Sequence, residues 1–299
     1  MEQDTALMKL NFLAPLFAKM PVMVQRLRYR RFKKQWPNLK HPTLFVEKII
    51  WMSFHTDTHE WPEASDKYAV RDYVIHKWGS DDILNELYGV WESPEQIDFD
   101  QLPQSFVLKT NNACATNLIV RDKSKLDVQE VRAKLAHWLK FRYGDMSGQP
   151  HYSKIKPLII AEKFMVQDKN DPSKTLIDYK FNCFDGKVHS CIAMGERAEN
   201  SHRTAKMQYD LDWNPQPQLF EGEVTGPRMS YPGSFDKPQS FEQMKEIARV
   251  LCQGFKYVRV DLYEIDGKPI FGELSFMPGM GIYRKPETER FMGDLLQFD

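Results

Sequence analysis

The sequence predicts an α+β protein with a mainly helical N-terminal region, on three observations. Apolar residues recur at helical spacing up to about residue 88, and the period falls to two after Leu102-Pro103. Two Asp-Gly pairs, Asp185-Gly186 and Asp266-Gly267, each join two alternating apolar runs, a hairpin signal. With 299 residues, 42% hydrophobic and 13% aromatic, the chain can bury one large or two modest cores. The change of period puts a boundary near residue 101, with a second region from 102 to 299.

Charge and cysteine usage narrow the class. Lys plus Arg equal Asp plus Glu at 41 each, so no global field favours nucleic acid, and none is expected as a partner. Cys114, Cys183, Cys191 and Cys252 show no C-x-x-C spacing, which fits reduced core thiols and a cytoplasmic protein. Leu7 to Val24 is the most apolar stretch near the start, but Lys9, Asn11 and Lys19 interrupt it and Pro15 and Pro21 break it. Arg26, Arg28, Arg30, Arg31, Lys33 and Lys34 follow. An apolar helix running into basic residues is either a helix pair packed on the body or a peripheral contact with the inner face of a membrane.

Along the chain, Phe45, Ile49 and Met52 mark one helix, and Ser65 caps a second that turns Tyr68, Ala69, Tyr73 and Trp78 to the core and closes at Gly79. His55-Thr-Asp-Thr-His59 carries metal-type residues at alternate positions but falls in a loop. Lys67 and Arg71 lie one helical turn apart and either bind an anion or form a solvated basic face. Phe106 to Lys109 and Asn117 to Arg121 read as strands around a small polar turn, 110–116. A lysine leaving a strand before such a loop is, in outline, a phosphate-holding arrangement. Asn111-Asn112-Ala113-Cys114-Ala115 contains no glycine, so an ordinary hairpin is the default reading. Asp127 with Glu130 caps a helix carrying Val128, Val131, Leu135 and Trp138, ended by Gly144. Lys156 to Met165 forms an apolar strand running into Glu162. In the first Asp-Gly hairpin, Asp178–Phe184 with Lys187–Ala193, Lys180 stands on the face opposite Tyr179 and Phe181. Gly195 to Gln239 is irregular and proline-rich, yet it contains Trp213, which suggests an ordered segment covering a substrate. Ser240 and Gln243 cap a helix with Met244, Ile247 and Leu251, and Pro286 to Phe298 closes the chain.

The second Asp-Gly hairpin holds the chemistry. Arg259 and Asp261 sit on one arm, Glu273 and Ser275 on the other. An odd-numbered turn would put all four on one face, whereas a strict two-residue turn would split them. Two carboxylates brought together need a cation between them, which points to Mg2+ with oxygen ligands; the alternative is a salt-bridged edge hairpin.

In this order the pieces resemble the ATP-grasp fold and, more narrowly, the TupA-like ATP-grasp family of polysaccharide biosynthesis. The stretches that carry the resemblance are Phe45-Val-Glu-Lys48, Asp66 to Val74, Leu102-Pro103 through Lys109-Thr-Asn, Asp178-Tyr-Lys-Phe181, Tyr209-Asp-Leu-Asp-Trp213, and Val258 to Tyr263 with Phe271-Gly-Glu273. The resemblance implies two α+β lobes clamping ATP, a small lobe at about 102–161 and a large one at about 162–299. It places Lys109, Asp178 and Lys180 at the nucleotide, with Glu162, Lys163 and Met165 in the hinge against adenine and ribose. Asp261, Glu273 and Ser275 would hold Mg2+, although Ser275 stands where many such enzymes carry Asn. Related sequences tend to have a glycine pair where Ala113 and Ala115 stand.

The implied reaction is amide formation through an acyl phosphate, with Arg259 and Lys180 stabilising the transferring group. The expected partners are a carboxylate-bearing sugar or polysaccharide precursor and an amino acid or amine. Arg197, Arg203 and Lys206 are candidates for the carboxylate and Trp213 for stacking on a sugar. The alternatives are a sugar kinase, a glycosyltransferase using Asp210-Leu-Asp212, or a non-catalytic nucleotide-binding protein.

Overall fold

The computed structural model describes residues 8–167, 176–195, 204–220, 229–230 and 235–298. The chain forms two compact units, and they interleave: residues 1–28, 57–73 and 85–164 in the first, and 29–56, 74–84 and 165–299 in the second. The N-terminal helices are shared out between the units because each has an apolar face that only a neighbouring layer can cover.

The first unit is built on a four-stranded antiparallel sheet of β1 (Leu87–Trp91), β2 (Phe106–Thr110), β3 (Asn117–Val120) and β4 (Ile159–Lys163), in the order β1-β4-β2-β3. β1 was not expected, since its short apolar run lies in the region that reads as helical. The helix Val128–Leu139 covers the sheet, with Val131, Leu135 and Trp138 packed against Phe106, Leu108 and Ile159. Asp127 caps it as expected, its Oδ1 accepting the N–H groups of Gln129 and Glu130 at 3.0 Å each. The helix stops at Leu139, and Gly144 belongs to the next one, Tyr143–Ser147, where a Cβ would meet Ser153.

The second unit carries β5 (Asp178–Phe184), β6 (Lys187–Gly195), β7 (Thr204–Tyr209), β8 (Met229–Ser230), β9 (Tyr257–Ile265) and β10 (Lys268–Ser275), ordered β10-β9-β5-β6-β7-β8. β7 lies within the stretch expected to be irregular, where flanking prolines and glycines hide its alternation. The helix Phe241–Leu251 turns Phe241, Met244, Ile247 and Leu251 onto the sheet, and Phe241 stacks against Phe181 with centroids 5.8 Å apart. Its Ser240 makes no side-chain cap; instead, Ser240 Oγ donates to Glu264 Oε2 at 2.6 Å.

Helix Phe45–His55 packs on helix Pro286–Asp294, where Gly293 is required because a Cβ would lie 2.4 Å from the Thr43 carbonyl. Glu47 folds back to accept the N–H groups of Asn38, Thr43 and Leu44. The helix Val70–Trp78 is capped by Asp66 rather than Ser65: Asp66 Oδ1 accepts the N–H groups of Tyr68 and Ala69. Its buried residues are Val70 and Val74, while Tyr68 is exposed.

The hairpin β9–β10 departs from expectation in an instructive way. Ile265 pairs directly with Lys268, so the turn has two residues, and Asp266 and Gly267 are both left-handed, at φ 52° and 72°. By itself this turn would place Gly272 and Leu274 opposite Asp261 and Arg259. A bulge between Phe271 and Glu273 shifts the register by one and brings Glu273 opposite Asp261 and Ser275 opposite Arg259. Gly272 occupies the bulge, where a Cβ would approach the Asp261 carbonyl to 3.0 Å and the Tyr263 ring to 2.9 Å. The four side chains share a face, but through the strand and not the turn.

Candidate functional site

In the second unit, two rows of side chains cross β5, β9 and β10. Lys180 lies opposite Asp261 and Asp261 opposite Glu273; Asn182 lies opposite Arg259 and Arg259 opposite Ser275. Arg259 grips Asp261 bidentately, Nε donating to Oδ1 and Nη2 to Oδ2 at 2.6 Å each. Lys180 Nζ donates to Asp261 Oδ2 at 2.7 Å and lies 3.5 Å from Asp178. Burial pushes the Asp261 carboxyl up, but the charges and hydrogen bonds of Arg259 and Lys180 outweigh it and hold the group below the usual carboxylate range. Burial likewise disfavours the Arg259 charge, and Asp261 more than restores it.

Glu273 is the open member. Its side chain is 44% exposed against 2% for Asp261. It accepts Ser275 Oγ at 3.1 Å and lies 3.6 Å from Arg259 Nη2. Ser275 also accepts from Arg259 at 3.1 Å, so its proton and one lone pair are engaged. Three carboxylates, Asp178, Asp261 and Glu273, face two cations, which leaves the array one net negative charge.

Among the described residues no three His, Cys, Asp or Glu side chains gather as a metal cage. Mg2+ does not need one, because it is commonly held by one or two carboxylates and completed by water and phosphate oxygens. Glu273, reachable from solvent, fits that pattern, while both oxygens of the facing Asp261 are engaged by Arg259 and Lys180. His55 and Asp57 do not form the alternative site: His55 Nδ1 bonds the Trp51 carbonyl, and Asp57 pairs with His59.

Sequence reasoning missed Tyr263 and Asn182. Tyr263 extends the Arg259-Asp261 alternation, and burial, followed by the nearby Asp178 and Glu273 charges, raises its hydroxyl pKa well above the ordinary value. Asn182 accepts from Tyr257 Oη at 3.0 Å and donates to Tyr283 Oη at 3.3 Å, anchoring the second row from beneath.

In the first unit, Lys109 Nζ on β2 donates to Glu162 Oε2 on β4 at 2.6 Å. Arg71 Nη1 donates to the Asn85 carbonyl at 2.9 Å and lies 4.0 Å from Glu162 Oε1. Lys67 Nζ donates to the carbonyl of Ala113 in the 110–116 loop. Lys67 and Arg71 are thus not a bare solvated face; both are drawn to the strand-loop corner that carries Lys109.

The loop is fixed at its base by Thr110 and Thr116, whose hydroxyls are 2.6 Å apart. Asn111 reinforces it, donating to Asp66 Oδ2 and the Lys156 carbonyl and accepting from Leu158 N–H. Ala115 adopts φ 58°, a left-handed conformation that favours glycine. Lys163 is exposed and pairs with Glu86 at 3.2 Å, and the chain passes from one unit to the other between Phe164 and Met165.

Arg197 and Arg203 lie outside the described residues. Lys206 is buried, donating to the Ile282 carbonyl at 2.6 Å and lying 4.2 Å from the Phe220 ring centre. Trp213, at φ 68°, stacks on Tyr209 with centroids 3.9 Å apart and donates to the Phe235 carbonyl. Asp210 Oδ1 accepts the N–H groups of Asp212 and Asn214, so Asp210-Leu-Asp212 builds a turn.

No curated protein matches the sequence. Among solved structures, the chain is similar to D-alanine–D-alanine ligase from Bacillus anthracis complexed with ATP, at 16% identity over 78% of this chain and 65% of that one, TM-score 0.43. It is similar to L-amino acid ligase from Bacillus licheniformis at 14% identity over 79% and 50%, TM-score 0.43. The ATP-grasp ligase PsnB, complexed with a minimal precursor, Mg and ADP, matches at 11% identity over 84% and 65%, TM-score 0.39. The chain spans about two thirds or less of the length of these ligases. The model of the TupA-like ATP-grasp family matches residues 47–297. That match spans most of the sequence, and this chain belongs to the TupA-like ATP-grasp family.

Proposed function

We propose that this chain is an ATP-dependent ligase that joins an amino acid or other amine to a uronic-acid-type carboxylate of a surface-polysaccharide precursor. The observation that carries the reading is the array on β5, β9 and β10, in which two buried cations and two facing acids share one surface. In this reaction class a carboxylate oxygen takes the γ-phosphoryl of ATP as ADP leaves. The amine nitrogen then attacks the acyl carbon, phosphate departs and the amine proton goes to solvent. Glu273 and Asp261 are the residues that would hold Mg2+, which when bound neutralises charge on the transferring phosphoryl.

The chain's own groups do the rest. Lys180 and Arg259 are held at fixed positions by Asp261, so they need no rearrangement as negative charge develops nearby. Lys109 contributes an ammonium to phosphate binding, with Glu162, Lys163 and Met165 at the nucleoside end and Asp178 steadying Lys180. Arg197, Arg203 and Lys206 stay assigned to the carboxylate, and Trp213 to the sugar.

The test is incubation of purified protein with ATP, Mg2+ and a panel of hexuronates and amino acids, following phosphate release and product mass. Acceptor-dependent phosphate together with a dehydrated conjugate is the expected result. A phosphorylated sugar without free phosphate would make the protein a kinase, and ATP binding without turnover would make it a non-catalytic nucleotide-binding protein.

A further inference from the structure

We propose that the N-terminal segment between Lys9 and Lys40 docks on an anionic lipid surface. The inference rests on this surface alone and stands apart from the ligase reading. Nine of the thirteen exposed large hydrophobic side chains among the described residues fall between Leu10 and Trp36. Phe12 is 74% exposed, and Leu16, Met20, Met23 and Leu27 follow at three- and four-residue steps, each at 41–51%. Concentrated apolar exposure of this kind marks an interaction surface.

The charge around it has one sign. From Thr5 to Val46 the sequence holds nine Lys or Arg and no Asp or Glu, although the whole chain is balanced at 41 of each. Helix Pro21–Lys33 is tied down on its other face by Val24, Gln25 and Tyr29, all buried. Arg28 donates to the Ser147 carbonyl at 2.6 Å, Lys33 to Glu289 at 2.7 Å, and Arg30 lies 4.6 Å from the Trp36 ring centre. Lys9, Lys19, Arg30, Arg31 and Lys34 are exposed.

This combination selects the occupant. A nucleic acid would use the cations and leave Phe12, Leu16 and Leu27 in water. A second copy using the same face would bring like charges together. An anionic bilayer takes both, with apolar side chains entering the headgroup boundary and cations meeting the lipid phosphates. No helix of the described residues is long and apolar enough to cross a membrane, so the contact is peripheral.

The experiment is flotation of the full chain with vesicles of phosphatidylcholine alone and with about one third phosphatidylglycerol. The expected result is flotation with the anionic vesicles only, reduced in roughly 0.5 M NaCl, where screening shortens charge reach to a few ångströms. Replacing Arg31 and Lys34 by Ala should weaken partitioning about 25-fold, at roughly five-fold per cation. The double variant Leu16→Ser, Leu27→Ser should lower flotation further at high salt, with an unchanged melting temperature as the check on folding. Equal flotation with both vesicle types, or none with either, would overturn the proposal. Concentration-dependent self-association abolished by the double Ser variant would do so too, and would assign the face to a protein contact.

Discussion

Lys109 and Lys180 are both strand lysines within 2.7 Å of a carboxylate, yet their surroundings differ in kind. Lys109 is 26% exposed and has a single close partner among the described residues, Glu162, which has Arg71 only at 4.0 Å. Lys180 is 10% exposed and shares Asp261 with a bidentate arginine. An isolated, partly solvated pair can exchange its carboxylate for a ligand phosphate at small cost. A buried pair with a third member cannot lose one group without leaving the others uncompensated. The first unit therefore presents a lysine that is able to change partners, and the second an array whose cations are already matched to Asp261 and whose open member is Glu273.

Removing the shared acid tests that contrast most severely. Asp261→Ala should cost about 3–5 kcal/mol in chemical denaturation, because two buried cations lose their counter-ion. Glu273→Gln, half-exposed and at the rim of the same array, should leave the denaturation midpoint nearly unchanged. It should lower Mg2+-dependent phosphate release by about 100-fold or more, in the range seen when one charge-stabilising group is lost. An undiminished rate would separate Glu273 from the chemistry. In the first unit, Lys109→Ala should weaken ATP binding roughly ten-fold by calorimetry while costing less than about 1 kcal/mol of stability. Lys125→Ala, at a fully solvated lysine of the same unit, should do neither. The smallest effect belongs to Ala115→Gly, which relieves a left-handed alanine at the price of a looser unfolded chain. It should raise stability by about 0.5–1 kcal/mol.

Much of this was legible in the residues. Arg259, Asp261, Glu273 and Lys180 stood out because a charge inside an apolar strand must be paired; alternation put Arg259 with Asp261 and Glu273 with Ser275 on one face of each arm, and left open whether the two arms share it. The caps were harder: Asp66 and Ser65 are adjacent, both are good capping residues, and only the path of the backbone chooses between them. β1 and β7 escaped because neither is long, and each lies in a stretch dominated by another signal, helical periodicity for one and proline for the other. Lys67 and Arg71 read as a solvated face because their partners, the Ala113 and Asn85 carbonyls, are backbone atoms that leave no trace in residue type. The bulge had one available hint, Gly272 inside a strand pattern, a residue that otherwise weakens a strand.

That bulge makes the hairpin a matter of parity. An even turn with one surplus strand residue and an odd turn with none deliver the same side chains to the same side of the sheet. A relative could shorten the strand by one and lengthen the tip by one and keep its acids where Asp261 and Glu273 stand. Counting outward from the tip across such a pair would match an acid to Gly272, so the positions to superpose are the strand partners and not the loop.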